Sequence, residues 1–273
     1  MLSTIRSLGL LGIEPFPVSV EVGLTRAIPV FEVVGLPDAA VRESRERVRS
    51  AIGAAGFPFP EGRIVVNLAP ADVRKAGSLY DLPILVGMLR AQELLPDWEE
   101  ESVFLGELSL SGELRRVSGV LPMLLGAAEL GVRRAFIPFG NAAEASAVRG
   151  LAVYAVHDVT ELVAFLRGEG ELSPVTAPPA GSRPAAPRPD LREVKGQRAA
   201  KRALEVAAAG GHNLLFIGSP GAGKSMLAKR LPSILPAMTE AEAVETTKVY
   251  SACGQLPPGL PLITERPLSL IHI

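Results

Sequence analysis

The sequence predicts an α+β N-terminal domain, a proline-rich linker and part of a second, α/β module. Three observations predict this division. Up to about residue 168, strand-like and helix-like patterns follow one another without a regular βαβ order, which is typical of an α+β domain. Six of the sixteen residues from Pro174 to Pro189 are proline, so this segment lacks the apolar periodicity of a packed element. After it, a helix, a short apolar run and a glycine-rich loop come in direct succession. We therefore predict domains at residues 1–168 and 191–273, joined by a linker at 169–190.

Length, charge and cysteine content exclude several classes of protein. At 273 residues the chain is long enough for about two domains. Its net charge of −1 gives no overall basic character that would indicate nucleic-acid or membrane binding. No apolar stretch is long enough to predict a membrane span, and the N-terminus lacks the cleavage site of a signal peptide. The single cysteine, Cys253, excludes an internal disulfide or a multi-cysteine metal site. We expect a cytoplasmic protein with no membrane partner.

In the N-terminal domain, each element is predicted from its residue pattern. Strands are predicted where apolar residues alternate with polar ones or form short β-branched runs: residues 18–22, 28–34, 63–68, 103–105, 135–138 and 151–156. Helices are predicted where apolar residues recur every three to four positions: residues 37–55, 79–94, 120–130 and 159–166. A Ser-Gly pair predicts a tight hairpin at residues 109–114.

The helix over residues 37–55 is rich in arginine, which admits two interpretations. Arg42 with Glu46 and Glu43 with Arg47 are spaced for i,i+4 pairing on the face opposite the apolar residues. A nucleic-acid patch is one interpretation. The interleaved glutamates favour the other, a solvated face.

The C-terminal module has a more regular pattern. A helix over residues 197–209 ends at Gly210-Gly211. Residues 214–217 are continuously apolar, which is typical of a strand buried on both faces. A loop at 218–224 and a helix at 225–231, ended by Pro232, complete the prediction.

The loop carries the pattern G-x-x-x-x-G-K-[ST] of a phosphate-binding P-loop. Its residues are Gly218, Ser219, Pro220, Gly221, Ala222, Gly223, Lys224 and Ser225. Glycines allow the backbone to wrap a phosphate with its N–H groups directed inward, in conformations that a Cβ atom would resist. Lys224 can reach the β- and γ-phosphates, and the Ser225 hydroxyl can bind Mg²⁺. The loop therefore predicts binding of a nucleoside triphosphate, with ATP and Mg²⁺ as cofactors. The dinucleotide pattern G-x-G-x-x-G is excluded because Met226 stands where its third glycine would be.

Several further motifs, in order along the chain, resemble one family. In the C-terminal module they are Val194-Lys195-Gly196-Gln197, Ala199-Ala200-Lys201-Arg202-Ala203-Leu204-Glu205 and Gly210-Gly211-His212-Asn213; in the N-terminal domain they are Val33-Val34-Gly35-Leu36-Pro37, Val66-Asn67-Leu68-Ala69-Pro70-Ala71-Asp72 and Tyr80-Asp81-Leu82-Pro83. With the P-loop, they resemble the YifB/ComM family of magnesium-chelatase-like AAA+ ATPases.

The resemblance implies that Val194 and Gln197 also contact the nucleotide. It further implies homo-hexameric ATP-driven motors acting on DNA, with branch migration during natural transformation as the activity of ComM-type members. The alternatives are an ATPase that drives metal insertion, as in magnesium chelatase, and a non-catalytic interaction scaffold.

The resemblance also implies that the N-terminal domain has the fold of the Lon protease catalytic domain. A peptidase of that kind needs a serine activated by a desolvated lysine. Leu121 stands where Lon-type sequences carry the lysine, and the serine region reads Tyr80-Asp81-Leu82-Pro83. Ser78 and Lys75 lie nearby in sequence but do not match the pattern. We therefore expect a non-proteolytic domain and predict no catalytic residue.

The C-terminal module departs from the family pattern. No apolar run ending in Asp-Glu follows the P-loop, so the Walker B acids that hold Mg²⁺ and orient water are absent from this sequence, as are sensor and arginine-finger segments. After Arg266-Pro267, residues 268–273 replace the expected basic segment. From the sequence we expect a truncated product with an altered end, a poorly packed module and negligible ATP hydrolysis.

Overall fold

A computed structural model describes residues 1–98, 101–176 and 189–267 in two units. The first comprises Met1–Ala177 together with Thr246–Leu262, and the second comprises the intervening Pro178–Glu245 together with Ile263–Ile273. Most of the predicted linker and the atypical last six residues lie outside the described residues. No helix of the described part is long and apolar enough to cross a membrane.

A mixed seven-stranded sheet forms the centre of the first unit in the described residues. Its strands are β1 (Leu2–Leu11), β2 (Glu14–Thr25), β3 (Val30–Val34), β4 (Arg63–Ala69), β5 (Ser102–Phe104), β8 (Arg134–Pro138) and β9 (Ala152–Val156), and a separate hairpin pairs β6 (Glu107–Leu108) with β7 (Leu114–Arg115). The order across the sheet is β3-β4-β2-β1-β5-β8-β9. The pairs β1–β2 and β2–β4 are antiparallel and the other four are parallel.

Six helices pack with these strands. They are α1 (Ala39–Arg42), α2 (Ser44–Ala54), α3 (Asp81–Ala91), α4 (Val120–Glu129), α5 (Ala142–Ala145) and α6 (Val159–Leu166). Successive residues of β5 belong to different clusters: Phe104 packs in the larger core with α3, whereas Val103 packs with α4. Because neighbouring side chains of a strand point to opposite faces, this half of the sheet is covered on both faces.

The prediction of mixed α and β structure is confirmed, with two differences in its elements. Strand β1 was not predicted, because its residues do not alternate between apolar and polar types: burial alternates from Leu2 to Ser7, but two of the buried residues are serines, Ser3 and Ser7. The predicted helix over 37–55 is two helices that meet at Glu43, and Asp38 caps the first by accepting a hydrogen bond from the Val41 backbone N–H at 2.8 Å.

Arg47 lies in α2, and its main partner is not the glutamate predicted from sequence. Its guanidinium pairs with the fully buried carboxylate of Asp81, at 2.5 Å from Nε to Oδ2 and 2.9 Å from Nη2 to Oδ1. The predicted pair with Glu43 is present but longer, at 3.8 Å. The backbone N–H of Leu108 also donates to Asp81 at 3.1 Å. The helix therefore has a structural cation on the face that was expected to be solvated.

Lys75 is a buried cation whose side chain has no hydrogen-bond partner among the described residues. Its side chain is fully buried, and its Nζ is one of three buried side-chain polar atoms in the described residues without a hydrogen-bond partner. Burial lowers the pKa of the Lys75 ammonium, and attraction to Asp72 opposes the shift in part. The folded state therefore holds this charge at a cost.

Replacing this charge should stabilise the protein. We expect Lys75→Met to raise the free energy of unfolding at pH 7 by about 1–3 kcal/mol, because it removes an unpaired buried polar group. Since the folded-state pKa is lowered, the unfolded state binds more protons above it, and wild-type stability should rise with pH towards the ordinary lysine pKa. The advantage of the variant should thus shrink between pH 7 and pH 9.5 in urea unfolding. Arg149→Met, at an exposed position, is the control for loss of a cation. A Lys75→Met variant that is less stable than the wild type at both pH values would contradict the prediction.

The second unit is much smaller. Its described residues contain α7 (Arg198–Gly210), α8 (Lys224–Ala228) and the start of α9 (Glu240–Ala252). Their fully buried apolar cluster consists of Leu191, Val194, Leu204 and Leu227. Helix α9 lies in the segment where the sequence predicted no element.

The predicted strand at residues 214–217 is wrong. These residues form no strand, and the side chains of Leu215 and Ile217 are 68% and 89% exposed. A strand buried on both faces needs neighbouring strands, and the described residues of this unit provide none to pair with it. The predicted helix at 225–231 is also shorter, because α8 ends at Ala228 and a 3-10 turn (Leu231–Ile234) follows with Pro232 inside it.

Candidate functional site: the glycine-rich loop

The glycine-rich loop is shaped by two glycines in left-handed conformations. Gly221 has φ 82° and Gly223, which directly precedes α8, has φ 83°. A side chain at either position would be strained, since residues with a Cβ rarely adopt such φ values. A Cβ atom at Gly221 would project into open space, so no protein atom fills the concave side at this glycine. The backbone is therefore left-handed at two glycines, with open space beside Gly221.

Lys224 closes the loop on itself. Its Nζ donates to the backbone oxygen of Gly218 at 2.8 Å and to that of Ser219 at 2.9 Å. Both of these acceptors are uncharged backbone oxygens, so an anion would be a stronger partner for the ammonium. Ser225 follows at the first turn of α8 with an exposed side chain. One cation and one hydroxyl therefore lie next to each other where the loop meets α8.

The two further residues named by the resemblance precede α7 in the chain. Gln197 is exposed and precedes the helix with φ 52°. Val194 is 3% exposed and packs in the same apolar cluster as Leu227 of α8. Val194 therefore supports the helix that follows the loop, and its contact with a nucleotide stays a prediction.

Outside the loop, Arg230 forms hydrogen bonds that connect α8 to residues 190–193. Its guanidinium donates to the Met226 backbone oxygen at 3.1 Å, to Glu193 at 3.1 Å and to the Asp190 backbone oxygen at 3.2 Å. No sequence pattern marks this arginine, because its partners come from two separate segments. Among the described residues, no group of three histidine, cysteine or acidic side chains could hold a metal ion.

The residues considered for peptidase chemistry do not form a dyad. The Ser78 hydroxyl donates to the carboxylate of Glu107, whereas Lys75 Nζ has no hydrogen-bond partner. Leu121 is fully buried in α4 and packs in the core. Within the described residues, Lys75 therefore forms no hydrogen bond with Ser78.

Comparisons with known proteins agree with these features. One family model, described as subunit ChlI of Mg-chelatase, matches residues 20–141, and a second, described as magnesium chelatase, subunit ChlI, matches residues 190–273. The competence protein ComM of Haemophilus influenzae is 43% identical over 92% of this chain and 50% of its own length. The chain belongs to the YifB/ComM family of magnesium-chelatase-like proteins.

Two further relatives match over a similar extent. YifB of Escherichia coli K12 is 40% identical over 92% of this chain and 49% of its own length. An uncharacterised protein of Mycobacterium tuberculosis H37Rv is 41% identical over 97% of this chain and 53% of its own length. The chain thus spans about half the length of the curated relatives it matches.

Proposed function

We propose that this chain binds ATP with Mg²⁺ through residues 218–225 and forms the leading part of an ATP-driven motor that acts on DNA. The observation that carries the proposal is the loop itself: two left-handed glycines beside a lysine whose ammonium contacts only backbone oxygens within it. The family supports the choice of nucleotide and metal. The competence protein among its relatives supports a role with DNA.

Each residue of the loop has a separate role in this proposal. Lys224 exchanges the carbonyls of Gly218 and Ser219 for the β- and γ-phosphates, and the glycine backbone donates N–H groups to the same phosphates. The Ser225 hydroxyl binds Mg²⁺, which neutralises phosphate charge when bound. Assembly as a homo-hexamer belongs to the proposal for the full-length family.

For the first unit we propose a non-proteolytic domain with the fold of the Lon protease catalytic domain. The support for a non-proteolytic domain is the buried apolar Leu121 where Lon-type sequences carry the catalytic lysine, and the hydrogen bond of Ser78 to Glu107. Metal insertion, as in magnesium chelatase, is the second candidate, because both matching family models are described as subunit ChlI of that enzyme.

A competition series tests nucleotide binding and its phosphate dependence. We would titrate the chain with a fluorescent ATP analogue and Mg²⁺ and displace it with ATP, ADP, AMP and pyrophosphate. Since the loop contacts phosphates and not the base, ATP and ADP should compete well, pyrophosphate should compete measurably, and AMP should be weaker by about tenfold or more. Equal displacement by AMP and ATP, or no displacement by any of them, would overturn the proposal.

A further inference from the structure

Residues 246–262, called here the docking segment, belong to the first unit although they follow the loop module in sequence. The segment comprises the second half of α9 and the turn after it. Its side chains Thr247, Ser251 and Leu256 are 0%, 2% and 2% exposed. These three side chains are as buried as those of the sheet core, and they anchor the segment to the first unit.

The docking segment forms a hydrogen bond with a buried carboxylate of the first unit. Glu144 of α5 is 2% exposed and accepts hydrogen bonds from the Leu121 backbone N–H at 3.2 Å, from Asn141 Nδ2 at 2.6 Å and from the Ser251 hydroxyl. The Gly119 backbone N–H donates to the Ser251 backbone oxygen at 2.8 Å. Both polar groups of Ser251 are therefore recognised by the first unit.

The turn after α9 is recognised in the same way. Arg116 Nη2 donates to the Leu256 backbone oxygen at 2.8 Å. A Cβ atom on Gly254 would lie 2.7 Å from Ser118 Oγ, and the φ of this glycine is 67°. The surface formed by Arg116, Ser118, Gly119 and Glu144 thus fits a helix end that carries a serine and, three residues later, a glycine.

The first half of α9 is bonded within the second unit. Glu242 accepts a hydrogen bond from the Thr239 backbone N–H at 2.8 Å and pairs with Arg266 Nη2 at 2.9 Å to each carboxylate oxygen. Arg266 Nε also donates to the Pro236 backbone oxygen at 3.1 Å. Arg266 therefore links the backbone at Pro236, in the segment that leads back to the loop helix, to Glu242 in the first half of α9.

We infer that the surface around Glu144 is a docking site for residues 246–262 of the same chain, and that this docking supports the loop module. The second unit buries only four apolar side chains in a cluster of its own among its described residues, too few to order a module of this size alone. An α-helix is a stiff element, so fixing the second half of α9 restricts its first half and the segments bonded to it. Undocking should make the backbone of the loop module open more often. Nucleotide bound at the loop should in turn favour docking, because such coupling is reciprocal.

Hydrogen exchange of the full chain without nucleotide tests the inference. Ser251→Ala removes one hydrogen bond to Glu144. Arg116→Ala removes the hydrogen bond to Leu256 together with the 3.9 Å ion pair between Arg116 and Glu144. We expect each to raise amide exchange by about fivefold or more at residues 224–230 and 240–245, as well as within the docking segment. Ser146→Ala is the matched control, because its hydroxyl is bonded only locally, to the Ala143 backbone oxygen at 2.7 Å. Faster exchange confined to residues 246–256, or no change, would overturn the inference.

A nucleotide titration of the same variants separates this inference from the proposed function, on which its binding readout rests. We expect Ser251→Ala to weaken ATP binding by about fivefold or more while Ser146→Ala leaves it unchanged. If the wild type binds no nucleotide, the proposed function fails, whereas the exchange data still decide the docking. If the wild type and Ser251→Ala bind ATP equally, support of the loop by docking is overturned.

Discussion

Lys224→Ala is expected to weaken ATP binding by about 100-fold. In the structure, the ammonium contacts only the backbone oxygens of Gly218 and Ser219, so its removal leaves no buried charge unpaired and the fold should be retained. In the bound state the same ammonium would contact two phosphates, and a charge-assisted hydrogen bond contributes about 1.5–3 kcal/mol. A loss of that size corresponds to roughly one to two powers of ten in affinity. Equilibrium titration with a fluorescent ATP analogue and Mg²⁺ measures it.

Lys229→Ala is the matched control for this variant. Lys229 lies one residue after α8 and is exposed, and removing it changes the net charge by the same amount. It should reduce affinity by less than about threefold, since an exposed charge at this distance acts only through screened attraction. Equal losses in both variants would show that general charge, and not the loop, attracts the nucleotide. Circular dichroism of the three proteins should be indistinguishable.

Asp81→Ala is expected to destabilise the first unit by about 3–5 kcal/mol. The variant removes the carboxylate that pairs with Arg47 and accepts the Leu108 backbone N–H, and it leaves both donors without that partner. Breaking a buried ion pair from one side costs this much because the remaining charge stays desolvated. Asp81 begins α3, whose residues are almost all buried, so the loss should reach the sheet core. Urea unfolding followed by the fluorescence of Trp98 measures the change.

Asp97→Ala tests whether the effect depends on burial. Asp97 also pairs with an arginine, Arg90, at 3.1 Å, but its side chain is 96% exposed. Such pairs contribute about 0–1 kcal/mol, so this variant should unfold close to the wild type. Equal destabilisation by the two variants would contradict the assignment of Asp81 as the structural partner of Arg47.

Local pattern was sufficient for those parts of the molecule that local physics determines. Alternation over β4 and helical spacing over α4 and α6 gave their positions to within a few residues, because each buries one face against a core. The loop at 218–225 was found from its residue types alone, since left-handed backbone at Gly221 and Gly223 requires glycine. Its binding of nucleotide stays a prediction.

Features that depend on distant partners were missed. The apolar run at 214–217 has the composition of a buried strand, but a strand is stable only beside other strands. Arg47 has the spacing of a solvated i,i+4 pair, and only the position of Asp81 in the fold makes it structural. Pairing of β1 with β5 likewise joins residues that are about 100 positions apart.

The sequence by itself determined the family, the mixed α and β character and the position of the glycine-rich loop, because these depend on residue types at short spacing. Only the tertiary structure decided which charges are buried and where residues 246–262 belong. Burial of a polar group is favourable only when a partner from elsewhere in the chain meets it, as Glu144 meets Ser251. Spacing along the chain carries no information about that partner, so the docking segment and the Asp81–Arg47 pair became visible only in the folded protein.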